Sequence, residues 1–139
     1  MLPEEARRAD TRAWLEKARR DLRSAAHALE AVDPLRDDAV FHCQQAVEKA
    51  FKSFLTWHDI PFRKTHSLEE LGRQCAAVDS TLEAVASDSA PLSEYAWRFR
   101  YPGPADAPTP DETSRALQLA ARAVAEVSVR LPAEAVPPS

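Results

Sequence analysis

The chain has 139 residues, 45% hydrophobic and 29% charged, the length and balance of one globular domain. Two glycines against eleven prolines exclude a glycine-rich phosphate loop and argue against a β-hairpin protein, whose turns need positive-φ residues. A formal net charge of −4 excludes coating of nucleic acid by bulk positive charge, while leaving room for a local basic site.

Alanine and leucine are abundant, and Glu, Lys, Arg and Gln fill most other positions, so an all-α fold is expected. Cys43 and Cys75 are far apart without a CxxC partner and read as reduced core thiols. No metal site and no cofactor is expected. The N-terminus carries no apolar signal segment, and no run approaches the roughly 18 apolar residues of a membrane span. The expectation is a cytoplasmic protein with no membrane partner.

The first helix is predicted from about Asp10 or Thr11 to Ala31, with Trp14, Ala18, Leu22, Ala25 and Leu29 as its apolar stripe. Arg12, Arg19, Arg20 and Arg23 lie outside that stripe and read as a solvated face or a ligand surface. Asp33-Pro34 breaks the helix. A second helix is predicted from about Leu35 to His58, with Val40, Cys43, Val47, Phe51 and Phe54 inward. His42, Ala46, Lys49 and Ser53 fall on nearly the opposite face, which is expected to meet solvent, a second subunit or a ligand.

Ser67 and Glu70 fit a capping box for a third helix from Leu68, with Leu71 and Cys75 inward and Gly72 at a close-packing position. A fourth helical region follows from Ser80 to Tyr101, broken near Ala90-Pro91. Tyr101 to Pro110 reads as a proline-rich loop. Thr109-Pro110-Asp111-Glu112 then starts a last helix bearing Leu117, Ala120, Val124, Val127 and Leu131. The whole, 1–139, is predicted to be a single domain: an up-and-down antiparallel bundle of four to five helices with its core over about 11–131. The tail 132–139 is expected to be flexible.

Two segments carry candidate chemistry. Tyr95 to Gly103 interleaves Arg98 and Arg100 with aromatics, and guanidinium forks suit phosphate while rings stack on bases. The same arginines also suit the negative end of a helix. The other segment is the run FHCQQAVEKAFKSFL, which sets His42, Gln45 and Lys49 on one helix.

That run, then His66-Ser67-Leu68 and Arg100-Tyr101-Pro102 in this order, resembles the HEPN family, "higher eukaryotes and prokaryotes nucleotide-binding". The resemblance is to its small stand-alone prokaryotic branch and spans roughly Trp14 to Leu131. It implies a helical bundle that forms a homodimer and partners a minimal nucleotidyltransferase in a two-gene toxin–antitoxin module. It also implies either metal-independent ribonuclease activity or non-cleaving binding of nucleotide or RNA. Ribonuclease members use an arginine followed after a few residues by a histidine, late in the bundle. Here no histidine follows His66, so Arg98 and Arg100 have no such partner.

Arg36 and His42 meet the spacing, but six positions turn a helix by about 600° and leave the side chains ~120° apart. They are retained as the only catalytic candidates. The reading is therefore a nucleotide- or RNA-binding protein rather than an enzyme. Arg98, Arg100, Tyr101, His42, Gln45 and Lys49 are its phosphate- or nucleotide-binding candidates. A ribonuclease toxin, or a purely structural subunit of a nucleotidyltransferase, is the alternative.

Overall fold

The computed structural model describes residues 3–102 and 107–138. Gly103 and Pro104 of the expected loop lie outside the described residues. Among the described residues there are five α-helices: α1 (Glu4–Glu30), α2 (Arg36–Trp57), α3 (Leu68–Val78), α4 (Glu83–Ser89) and α5 (Pro110–Ser128). Short 3₁₀ turns at Ser80–Leu82, Ala90–Ala96 and Ala133–Ala135 complete it, and no strand occurs among the described residues. The protein is an all-α helical bundle.

Helix α2 is the central element, packed on α1, α3, α5 and the Ala90–Ala96 turn. Its expected inward residues Val40, Cys43, Val47, Phe51 and Phe54 are all buried. They form one cluster with Leu15 and Ala18 of α1, Leu71 of α3, Val85 of α4 and Val127 of α5. At roughly 1.5–3 kcal/mol per large apolar side chain, this burial is the main force assembling the bundle. Cys43 and Cys75 are buried free thiols. Burial and then the nearby Asp21 push the Cys43 thiol up to about 12, and burial raises Cys75 as well.

Local signals explain the helix ends. Thr109 and Glu112 form the complete capping box at the start of α5. At α3 only half of the expected box forms. Ser67 Oγ accepts from the Glu70 backbone N–H, while the Glu70 carboxylate turns to the Arg63 guanidinium at 2.7 Å. Gly72 does mark a close approach: a Cβ there would sit 2.9 Å from Ala86 Cβ of α4.

Three expectations need correction. Helix α1 starts at Glu4 rather than near Asp10, because Glu4 and Glu5 suit its first turn and Arg7 packs over the Trp57 ring of α2 at 5.0 Å. The second face of α2 is not solvated along its length. Ala46 and Ser53 are fully buried, since α1 and α2 pack together along that side. The tail is not a loose end through residue 138. Ala135 is fully buried and Pro137 is buried, and the segment is held on α1 by Arg12 and Arg19.

Helix α5 also ends at Ser128, short of Leu131, yet Leu131 still packs into the core from the turn beyond it. Among the described residues no helix is long and apolar enough to cross a membrane.

A polar stripe on the central helix

One stripe of α2 escapes the core. Asp38, Phe41, Gln45, Lys49 and Lys52 recur at helical spacing, with His42 on the α1 side and Glu48 on the α3 side. The inward positions of α2 are apolar, so its polar side chains gather along this line, where two neighbouring segments close over it.

From α1, Asp21 reaches across. Its carboxylate lies 2.8 Å from His42 Nδ1 and 2.6 Å from Lys49 Nζ. Asp21 is only 8% exposed, so both contacts are largely shielded from water. Because the carboxylate accepts at Nδ1, the Nε2 edge of His42 is left for other partners. The His42 side chain is 33% exposed, enough for a ligand to reach that edge.

On the other side, Glu48 is the hub. It is 4% exposed and takes His66 Nδ1 at 2.7 Å, Lys52 Nζ at 3.0 Å and Gln44 Nε2 at 3.2 Å. Burial alone would raise its pKa, but the bonds from His66, Lys52 and Gln44 outweigh burial and hold it below the ordinary carboxylate value. Gln44 Nε2 also donates to the His66 carbonyl at 3.1 Å, which fastens the 58–67 connection to α2. Gln45 Nε2 donates to Gln44 Oε1 at 2.7 Å and so joins this network. Lys52 Nζ lies over the rings of Trp14 and Phe62 at 5.4 and 5.7 Å.

The stripe gains a third flank at its N-terminal end. Arg100 stacks over the Phe41 ring at 4.1 Å and pairs with Asp38 at 3.0 Å. Phe41 in turn meets the His42 ring edge-to-face at 5.4 Å. Arg100 and Phe41 thus close the N-terminal end of the stripe beside His42.

Arg98 goes elsewhere. Its guanidinium is 2.9 Å from Glu94 and 3.8 Å from Glu112, the residue that Tyr95 Oη and the α5 capping box also use. Burial and the bond to Glu112 raise the Tyr95 pKa, so its hydroxyl stays a donor. Arg98 thus clamps the Ala90–Ala96 turn to α5, and the two arginines of the basic-aromatic segment serve different places. Phe99 between them has φ of 68°, the left-handed region that non-glycine residues seldom adopt. Tyr101 is 81% exposed.

Arg36 is also separated from His42. Its Nε donates to the Pro108 carbonyl at 2.9 Å, beside a cavity of about 220 Å³ lined by Pro34, Asp37 and Phe99, whereas His42 faces Asp21. Asp21 and Glu48 were missed as site residues. Asp21 left one signal, an acid set between Ala18, Leu22 and Ala25 on the apolar stripe of α1; Glu48 left another, an i,i+4 partner in Lys52.

The architecture thus defines an all-α bundle whose central helix carries a preorganised polar stripe with imidazole, amide and guanidinium groups. The family model that matches is the HEPN domain, over residues 11–130, and the chain belongs to that family. The family places it among proteins of nucleotide- or RNA-related function. No curated protein and no solved structure matches the chain.

Proposed function

We propose that the protein binds a nucleotide or RNA phosphate along the α2 stripe, without cleaving it. The observation that carries this reading is Arg100, stacked on Phe41 at 4.1 Å, whose ring in turn meets His42 edge-to-face at 5.4 Å. Arg100 supplies to phosphate the guanidinium donors that Asp38, bound at Nη1, leaves over, Gln45 an amide and His42 its Nε2 edge. Lys49 contributes field rather than direct contact, since Asp21 already holds its ammonium at 2.6 Å. Tyr101, exposed beside Arg100, offers a ring for stacking on a base.

In this reading the protein acts in the cytoplasm as a homodimer and partners a minimal nucleotidyltransferase in a toxin–antitoxin module. Titration with ATP by calorimetry tests the site. Arg100→Ala is expected to weaken binding about tenfold, a loss of ~1.4 kcal/mol. Equal affinity in the variant would overturn the assignment. Arg98→Ala is the control, expected to lower stability rather than affinity.

A ribonuclease reading is favoured by one observation, the Asp21–His42 pair at 2.8 Å, which orients an imidazole as a general base requires. Incubation with tRNA in EDTA separates the two readings. Cleavage that disappears in His42→Ala would replace binding by catalysis.

A further inference from the structure

The tail sits on α1 as a peptide sits in a groove. Arg12 Nη2 donates to the Glu134 carbonyl at 2.8 Å, and Arg19 Nη1 to the Pro137 carbonyl at 2.7 Å. Ala135 is fully buried, Pro137 is buried two positions on, and Val136 packs against the core cluster. The polar anchors are main-chain oxygens, so this face of α1 reads a backbone and asks only for a small residue and a proline at two places.

The same line of arginines has one position left over. Arg8, Arg12 and Arg19 stand at i, i+4 and i+11, within ~40° of one another around α1. Arg8 Nε is buried with no acceptor among the described residues. Beside it lies a groove of about 440 Å³, lined by the small side chains of Ala9 and Ala13 and reaching Glu134 of the tail. The tail itself turns away from this groove. Ala133–Ala135 forms a 3₁₀ turn in which the Pro132 carbonyl accepts from the Ala135 N–H at 2.9 Å, and Leu131 before it is held in the core.

We propose that this face of α1 is a docking track for an extended segment of a different protein chain, and that the 132–138 tail is a resident competitor covering part of it. The spacing carries the inference. From Arg12 to Arg19 the helix rises ~10 Å, which the three residues from Glu134 to Pro137 match at ~3.3 Å each. Arg8 stands ~6 Å before Arg12, or about two further residues of extended chain. A segment not tied to α5 keeps its line past Arg12 and gives Arg8 the carbonyl that the tail withholds. Glu5 and Glu16 line the groove among the arginines. That mixture weighs against a polyanion and suits a peptide, whose N–H groups need acceptors as its carbonyls need donors.

Two fluorescein-labelled peptides test the track by anisotropy with the full-length protein. Ala-Ala-Ala-Glu-Ala-Val-Pro-Pro reaches Arg8, and Glu-Ala-Val-Pro-Pro stops at Arg12. The long peptide is expected to bind about tenfold more tightly than the short one, the effect of one added charge-assisted hydrogen bond. Arg8→Ala is expected to remove that advantage and leave the melting midpoint unchanged, since Arg8 Nε has no partner to lose. Ala135→Gln, which lifts the tail, is expected to bind the long peptide at least about tenfold more tightly than wild type, because the tethered competitor is gone. Equal affinity for the two peptides overturns the extension to Arg8. Affinity in a folded Ala135→Gln no higher than in wild type overturns the competitor. No binding of either peptide by that variant, or by wild type if the variant does not fold, overturns the track. Peptide binding that falls as protein concentration rises and a dimer forms in sedimentation overturns the choice of a different chain and assigns the groove to the tail of a second copy.

Discussion

The two polar stripes of this bundle hold similar residue types under opposite rules. Along α2, the charges are matched: Asp21 answers Lys49 and His42, Glu48 answers Lys52 and His66, and Asp38 answers Arg100. Along the outer face of α1, the arginines meet carbonyls or no acceptor. Burial explains the contrast. An unpaired charge such as Lys52 or Glu48, each under 10% exposed, is costly to hide, so the α2 groups must be paired to fold. On α1, Arg12, Arg20 and Arg23 are exposed and carry no such demand. The α2 stripe is therefore tied to stability, and the exposed arginines of α1 are not.

Mutations sharpen this division. The largest effect is expected at Glu48→Ala, which leaves Lys52 buried and unpaired and costs about 3–5 kcal/mol by urea unfolding. A loss under ~1 kcal/mol would break the comparison, since the α2 charges would then be as dispensable as those of α1. Asp21→Ala is expected to cost less, about 1–3 kcal/mol, because the Lys49 and His42 side chains are 21% and 33% exposed and recover water.

The acid limb of stability follows from Glu48. Its folded pKa lies below the ordinary value of 4.5, so its contribution is fully present above that pH and is lost as pH falls through the folded value. Wild type is expected to lose stability in that window, and Glu48→Gln to show a flatter acid limb; parallel curves from pH-dependent melts would count against the network. The smallest change is expected for Arg20→Ala/Arg23→Ala, whose unfolding free energy should stay within ~0.5 kcal/mol of wild type.

Much of the architecture was legible from residue order. The α2 core stripe, the Ser67 cap, the Thr109 box and the close packing at Gly72 each depend on neighbours a few positions away. The site was legible in its parts and not in its joins. The positions of His42, Gln45 and Lys49 on α2 follow from periodicity. The links of His42 and Lys49 to Asp21, and of Glu48 to His66, span 18 to 28 residues and depend on how two elements settle against each other. The docked tail left no signal, because its anchors are backbone carbonyls, which every residue possesses. Arg98 and Arg100 looked like a pair for the same reason: adjacency in sequence says nothing about which way each side chain is sent.

The backbone at Phe99 is what sends them apart. A left-handed residue reverses the path of the chain, so Arg98 falls toward α5 and Arg100 toward α2. That conformation carries a standing cost of roughly 1–2 kcal/mol in a residue with a side chain. Part of the compensation is visible in the Phe99 ring, which stacks on Tyr95 at 6.1 Å. Phe99 thus acts as a junction, dividing one short basic segment between α5 and α2. A glycine there would relax the junction but leave it unaimed, and a valine would close it.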